Sequence, residues 1–102
     1  MNTKKNNIAE EIVTDMSRLL FVASDKTRLK ILLELLDGEM CVGDLEEATE
    51  ASQSLVSHQL KVLRNAKLVT FRKDGNRVFY SLDDNHVHDL IKVAYDHVTE
   101  KK

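Results

Sequence analysis

Residues 52–82 read SQSLVSHQLKVLRNAKLVTFRKDGNRVFYSL, and the period of the apolar residues changes within this stretch. In its first half, apolar side chains recur every three or four residues, which predicts a helix from a Ser52 cap to about Asn65. In its second half, apolar and polar residues alternate on both sides of Asp74-Gly75, which predicts a β-hairpin. The stripe of the helix that we expect to be buried consists of Leu55, Val56, Leu60 and Leu63.

The segment before this helix predicts a shorter one. Residues 44–50 (DLEEATE) favour a short helix capped by Asp44, and ATEAS favours a turn. A short helix, a tight turn and a longer helix with one polar face form the helix-turn-helix pattern. With the hairpin behind it, the pattern predicts a winged helix-turn-helix.

Three further helices complete the predicted order. Residues 8–22 carry Ile8, Ile12, Met16, Leu19 and Leu20 at helical spacing. A second helix begins at a Ser24 or Asp25 cap, ends at Gly38 and has a core face of Leu29, Leu32, Leu33 and Leu36. The last helix runs from about residue 85 to 99. We therefore predict one mainly α domain with a small β-hairpin, in the order α-α-α-α-β-β-α, over 1–102, with 1–7 flexible, 44–66 as the helix-turn-helix and 68–82 as the wing.

Composition and length fit a small domain of the cytoplasm. The chain has 102 residues, of which 42% are apolar and 31% charged. No apolar run approaches the roughly 20 residues that span a bilayer, so we expect no membrane partner. The first residues are too polar for a signal peptide, and the single cysteine, Cys41, cannot form an internal disulfide. We expect Cys41 to be a buried, small apolar residue.

The net charge of −2 conceals a strong asymmetry. Residues 34–50 carry seven acidic residues and no Lys or Arg, whereas residues 51–80 carry six Lys or Arg and one acid, Asp74. A local basic surface is what meets phosphates, whatever the total charge. The second region therefore indicates a partner with phosphate groups.

The polar face of the predicted recognition helix suits the major groove of double-stranded DNA. Amide, hydroxyl and basic side chains read base edges there, and basic side chains that contact phosphates add affinity. An ordinary solvated helix face would also look polar, but here the helix pattern, the basic hairpin and the charge asymmetry coincide. We predict base contacts from Gln53, Ser54, Ser57 and His58, and phosphate contacts from Lys61, Arg64, Arg72, Lys73 and Arg77.

The last helix carries four side chains that could hold a metal, in two pairs: Asp84 with His86, and His97 with Glu100. His86 and His97 are eleven residues apart, so they share a face within about 20° but lie about 16 Å apart along the axis. One helix therefore cannot bring both to one ion. Two antiparallel copies related by a two-fold axis can, because each pair then completes the other, which gives two sites per homodimer.

Two imidazoles and two carboxylates suit tetrahedral Zn²⁺, with Co²⁺ or Ni²⁺ as alternatives. The four filled positions leave no place for a substrate, so we expect no enzymatic activity. Each residue also has a structural explanation: Asp84 as a helix cap, with Asp83 as competitor, His86 and His97 as interface residues, and Glu100 as a solvated charge. His88 lies on another face of the helix, and we expect it at the surface.

Over about residues 8–100, the sequence resembles the ArsR/SmtB family of dimeric winged-helix repressors that sense metals. The resemblance is carried by LLFVASDKTRLKILLELL, EMCVGDL, the stretch quoted first and the terminal D-x-H…H-x-x-E. It implies zinc ligands Asp84 and His86 from one protomer and His97 and Glu100 from the other. Relatives that sense cadmium and lead use a C-x-C pair where this chain has Cys41-Val42-Gly43, so a thiolate-rich site is not expected.

The resemblance implies a repressor whose metal-free dimer binds an operator and which zinc releases, so that efflux or storage genes are expressed. Three alternatives stay open at this stage. The first is a repressor of the same family that answers another inducer, and it predicts no tight zinc binding. The second is a zinc-binding protein without a DNA function. The third is a metalloenzyme, which predicts an exchangeable water on the metal.

Overall fold

A computed structural model describes residues 7–102. Of the segment predicted to be flexible, residues 1–6 lie outside the described part. The elements, in chain order, are helix α1 (Glu10–Ser24), helix α2 (Lys26–Glu34), a 3₁₀ turn (Leu35–Asp37), strand β1 (Met40–Cys41), helix α3 (Val42–Thr49), helix α4 (Gln53–Asn65), strand β2 (Val69–Asp74), strand β3 (Arg77–Leu82) and helix α5 (Asn85–Glu100). This is a mainly helical fold with one small sheet, as predicted.

Side-chain caps begin three of the helices. Asp25 accepts a hydrogen bond from the backbone N–H of Arg28 at α2, Ser52 from Leu55 at α4, and Asp84 from Val87 at α5. Each cap satisfies one of the backbone donors that the first turn of a helix leaves without a partner. The predicted Ser52 cap is therefore confirmed, and Asp25 rather than Ser24 begins α2.

The predicted start of α3 is wrong. The helix begins at Val42 with Cys41 in the cap position, so Asp44 lies inside its first turn rather than before it. Asp44 instead accepts a hydrogen bond from the thiol of Cys41, with the oxygen 3.2 Å from Sγ. An acidic side chain in the first turn still interacts favourably with the helix dipole.

The sheet has three antiparallel strands in the order β1-β3-β2, one more than predicted. β2 and β3 form the predicted hairpin, with Asp74 opposite Arg77 and a turn in which Gly75 has a φ of +64°. This left-handed conformation favours glycine. β1 pairs with β3 through Met40 opposite Tyr80, which brings the acidic segment of the chain against the wing.

The core lies between α2, α3, α4 and the base of the hairpin. Its fully buried side chains are Ile31, Leu32, Leu45, Val56, Leu60, Leu63, Leu68 and Val69. Leu55 is 39% exposed, so the prediction that it belongs to the buried stripe of α4 is wrong. Of the core face predicted for the second helix, Leu32 is fully buried, and Leu29, Leu33 and Leu36 are partly buried and pack against the core. The prediction missed Ile31 and Leu35, which are also buried.

Candidate functional sites

The outer face of α4 carries the helix side chains that were predicted to contact the bases and phosphates of DNA. Its members are exposed in the structure: Gln53, Ser54, Ser57, His58, Lys61 and Arg64. The opposite face of the helix is anchored by Val56, Leu60 and Leu63, which are at most 1% exposed. The core therefore holds α4 so that this polar face points outward. Arg64 also leans toward the hairpin, with its guanidinium carbon 4.5 Å from the centre of the Phe71 ring.

The arginines of the wing are engaged with the acidic segment. Arg72 forms an ion pair with Glu39, in which Nε lies 2.9 Å from both carboxylate oxygens and Nη2 lies 2.6 Å from Oε1. This hydrogen bonding lowers the pKa of Glu39 and keeps its carboxylate charged. Arg77 donates a hydrogen bond to Sγ of Cys41, with the nitrogen 3.4 Å from the sulfur. Lys73, the third basic residue of the wing, is exposed.

These contacts change two predictions. The sequence separates an acidic region from a basic one, but the pairing of β1 with β3 brings them together, so the wing is less positive than its composition indicates. Cys41 is half-buried and makes two polar contacts, with Asp44 and Arg77, so it is not the buried apolar residue that was expected.

At the N-terminal end of α5, Asp84 and His86 lie side by side. Oδ2 of Asp84 lies 3.5 Å from Nδ1 of His86, and the side chain of His86 is 98% exposed. Oδ1 of Asp84 accepts the capping hydrogen bond from the N–H of Val87 at 3.1 Å. That bond is the main reason why the pKa of Asp84 lies below its usual value, and an ionised carboxylate is what a metal requires.

At the other end of the same helix, His97 and Glu100 lie in the last turn, and both are exposed. Among residues 7–102, no group of three or more His, Cys, Asp or Glu side chains comes together at a position that could hold a metal. A complete four-ligand site would therefore have to draw on a second copy. His88 lies at the surface as expected, with its side chain 41% exposed, and it lines a surface pocket of about 320 Å³ with Leu36 and Asp37 of the 3₁₀ turn.

Large apolar side chains remain exposed on α1 and α5. The most exposed are Phe21 at 73% and Met16 at 57% on α1, and Val93 at 65% on α5. Leu90, between the two candidate ligand pairs, is 40% exposed. Exposed apolar surface of this extent is typical of a protein–protein interface.

No helix in the described part of the chain is both long and apolar enough to cross a membrane.

A hydrogen bond connects α2 and α4 through two residues that were not predicted to be functional. Nη1 of Arg28 donates to Oε1 of Gln59 at 2.9 Å. Their separation of 31 residues gives no periodic signal, and Arg28 is one of four charged residues in α2, so its charge alone does not distinguish it.

Residues 25–70 match the pattern of the family described as bacterial regulatory protein, arsR family. The cadmium resistance transcriptional regulatory protein CadC homolog of Staphylococcus aureus is 39% identical over 98% of this chain and 84% of its own length. The transcriptional repressor SmtB homolog of Synechocystis is 42% identical over 83% of this chain and 64% of its own length.

Among solved structures, a homodimeric winged helix-turn-helix DNA-binding domain from Mycobacterium bovis superposes with a TM-score of 0.84. The match covers 93% of this chain and 91% of the other at 23% identity, a level that bears on the fold alone. The fold is therefore the winged helix-turn-helix that the sequence predicted. On the strength of these sequence matches, the chain belongs to the ArsR family of bacterial transcriptional regulators, which are DNA-binding proteins and not enzymes.

Proposed function

We propose that the chain is a zinc-responsive transcriptional repressor that acts as a homodimer in the cytoplasm. In the metal-free dimer, the two α4 helices enter successive major grooves of an operator with inverted-repeat symmetry. Zinc binding between the two α5 helices releases the operator, so that genes for zinc efflux or storage are expressed. Repression and a response to metals are supported by relatives named a repressor and a cadmium resistance regulator.

The exposed polar face of α4 supports the DNA-binding part of this proposal. Its N-terminal half carries Gln53, Ser54 and Ser57, whose amide and hydroxyl groups can pair with base edges. Lys61 and Arg64 follow toward the C-terminal end of the helix, where they would meet the phosphate backbone. Of the wing, Lys73 can contact phosphates directly, whereas Arg72 must first leave Glu39.

The exposed apolar residues of α1 and α5 support the dimer. If a two-fold axis passes near Lys92, two α5 helices pair in antiparallel orientation through Leu90 and Val93. His86 of one protomer then lies opposite His97 of the other. This pairing covers apolar surface that a monomer would leave in water.

The observation that carries the metal-binding part is the pairing of Asp84 and His86 at 3.5 Å on the first turn of α5. One ionised carboxylate and one exposed imidazole form half of a tetrahedral site, and His97 with Glu100 supply donors of the same kinds. Nitrogen and oxygen donors favour Zn²⁺, with Co²⁺ or Ni²⁺ as alternatives. Softer metals such as cadmium favour several thiolates, and this chain has only Cys41.

The role of the chain's own residues is to join two helices that belong to different protomers. Asp84 and His86 would hold the ion from the start of one α5, and His97 and Glu100 would hold it from the end of the other. These four residues would then fix the register of the dimer, and a dimer held in a geometry that fits the operator poorly would release DNA. If zinc weakens DNA binding, DNA weakens zinc binding by the same factor.

Fluorescence anisotropy with labelled DNA from upstream of the protein's own gene tests the proposal. We expect tight binding with a chelator present, and binding at least tenfold weaker with a slight molar excess of Zn²⁺, which corresponds to about 1.4 kcal/mol of coupling. Binding that zinc does not change would contradict the sensor but not the repressor. An absence of specific DNA binding would contradict both.

Two variants of α5 make a matched pair for this measurement. His97→Ala removes a proposed ligand and should abolish the zinc response while DNA binding remains. His88→Ala removes a histidine from the face of α5 that packs toward α2, and it should leave the zinc response intact. If His97→Ala also lost DNA binding, His97 would have a structural role instead.

A further inference from the structure

The guanidinium of Arg28 lies where three helices meet. Arg28 belongs to α2 and is half-buried. Its Nε donates a hydrogen bond to the backbone carbonyl oxygen of Val22 in α1 at 2.7 Å. Its Nη1 donates another to Oε1 of Gln59 in α4 at 2.9 Å. One rigid planar group thus connects its own helix to the two others.

The contact with α1 uses a group that the helix itself leaves without a partner. α1 ends at Ser24, so the carbonyl groups of its last turn have no N–H four residues ahead within the helix. The carbonyl of Val22 is one of these, and Arg28 satisfies it. Because the acceptor is the backbone carbonyl of Val22, this hydrogen bond restrains the end of the α1 backbone and not merely a mobile side chain.

The contact with α4 lies beside the face proposed to read DNA. Gln59 follows His58, which is exposed, and precedes Leu60, which is buried. Its half-buried side chain points toward α2, so the bond restrains rotation of α4 about its own axis. The buried stripe of Val56, Leu60 and Leu63 determines which face of α4 points outward, but apolar contacts are not directional and tolerate small rotations of the helix. The hydrogen bond from Arg28 to Gln59 adds a directional restraint on such rotations.

We infer that Arg28 is a positioning residue that holds the recognition helix at a fixed orientation to the dimerisation helix α1. The inference rests on the proposed function, in which α1 and α5 join two protomers and α4 reads DNA. The orientation of α4 against α1 then sets the spacing of the two recognition helices, which must match one turn of DNA. Arg28 thereby affects operator binding without contact with DNA.

Arginine is needed at this position because its guanidinium offers several donors in a fixed plane. A lysine keeps the positive charge, but its ammonium group is a single point that cannot hold two acceptors in the same fixed geometry. Arg28→Lys is therefore an informative change. Gln59→Met is the corresponding change on α4, since it keeps the size of the side chain and removes the acceptor. Arg18→Lys is the matched control, because the side chain of Arg18 in α1 is 76% exposed and forms an ion pair with Asp15 at 3.6 Å.

The first experiment measures the orientation of α4 without DNA. Spin labels are placed at exposed positions of α1 and α4 through Glu11→Cys and Lys61→Cys, with Cys41→Ser to remove the native thiol. Labelled chains are diluted with unlabelled ones so that only distances within a chain are measured. We expect one narrow distance distribution that broadens with Arg28→Lys and with Gln59→Met, and stays narrow with Arg18→Lys. A distribution that neither change broadens overturns the inference, whether or not the protein binds DNA.

The second experiment measures operator affinity, salt dependence and melting temperature for the unlabelled variants. We expect Arg28→Lys and Gln59→Met each to weaken operator binding about tenfold, and the double variant to be no weaker than the worse single one, because both remove the same connection. The salt dependence should not change, because no phosphate contact is lost. A lower melting temperature with unchanged operator affinity would mean that the connection is only structural. Failure of the wild type to bind DNA would contradict the proposed function alone.

Discussion

The side chain of Arg72 in the wing lies against the carboxylate of Glu39, with Nη2 2.6 Å from Oε1 and Nε 2.9 Å from both oxygens. The guanidinium carbon also lies 4.8 Å from the centre of the Phe79 ring. A basic residue expected at a phosphate thus already has an anionic partner in the DNA-free protein. Glu39 and a DNA phosphate are therefore competitors for the same group.

Glu39→Gln should strengthen DNA binding severalfold. The change removes the nearer of two carboxylates beside Arg72, since Asp74 lies 3.9 Å from it, and it also removes a negative charge near the proposed DNA surface. The plot of log affinity against log salt concentration should become steeper by at most roughly 0.9 in its slope, which corresponds to one additional phosphate contact. Anisotropy titrations at several salt concentrations measure both quantities.

Glu34→Gln is the control for this change, since it removes the same charge from the exposed side of α2. Its effect on affinity should be much smaller. Equal effects of the two variants would mean that only the total charge matters, and that the Arg72–Glu39 pair does not restrain the wing.

Asp84 should have two separable roles, in capping α5 and in holding a metal. Asp84→Asn keeps a good capping side chain but removes the anionic ligand, so zinc binding should fall while the melting temperature changes little. Asp84→Ala removes both roles and should also lower the melting temperature by a few degrees. Zinc titrations and thermal melts in the presence of a chelator distinguish the two variants.

The capping role also predicts a dependence on pH. The hydrogen bond from the Val87 N–H lowers the pKa of Asp84 from its ordinary value of 3.8. A group whose pKa is lower in the folded state stabilises the fold above its unfolded pKa, and this contribution is lost as the pH falls through the folded value. The wild type should therefore lose stability relative to Asp84→Asn below about pH 3.8. A constant difference in melting temperature between the two from pH 7 to pH 2.5 would contradict this role for the carboxylate.

Val93→Asp should separate the dimer without unfolding the protomer. Val93 is 65% exposed in the single chain, so a charge there costs the protomer little, but it would lie between two α5 helices in the dimer. We expect monomers in sedimentation experiments, with near-native helix content by circular dichroism and no specific DNA binding. Asn76→Asp adds the same charge at the exposed turn of the hairpin and should leave the dimer intact. A dimeric Val93→Asp protein would place the interface elsewhere.

Local sequence signals predicted the parts of the fold that depend on local physics. The Ser52 cap and the apolar period gave the bounds of α4, and Asp74-Gly75 gave the turn between β2 and β3. These features work through neighbouring residues, such as a cap with the third N–H after it or a glycine in a turn with positive φ. The start of α5 after Asp84 was predicted for the same reason.

Contacts between distant segments could not be predicted in this way. β1 has two residues, too few for an alternating pattern, yet it brings Glu39 beside Arg72, 33 residues away, and Cys41 beside Arg77, 36 residues away. The assignment of Arg72 as a phosphate contact therefore missed its partner in the DNA-free protein. On α5, the sequence predicted both ligand pairs, and the structure places Asp84 and His86 together, but the meeting of the two pairs depends on a second chain.

Mixing two inactive variants tests whether the proposed zinc site spans two protomers. In His86→Ala homodimers and in His97→Ala homodimers, both sites lack a ligand, so neither should bind zinc tightly. After the two are unfolded and refolded together, about half of the dimers contain one chain of each kind, and each of these has one intact site and one that lacks two ligands. Tight zinc binding should therefore reappear in the mixture, at about a quarter of the wild-type stoichiometry per chain.

His86→Ala chains that are unfolded and refolded alone are the control, and they should not bind zinc tightly. A site confined to one chain predicts no recovery in either mixture, because every chain then lacks one of its own ligands. Recovery only with the two different variants assigns His86 and His97 of each site to different protomers. Absence of recovery, with heterodimers present by mass spectrometry, would mean that the antiparallel pairing of α5 is wrong even if the wild type binds zinc.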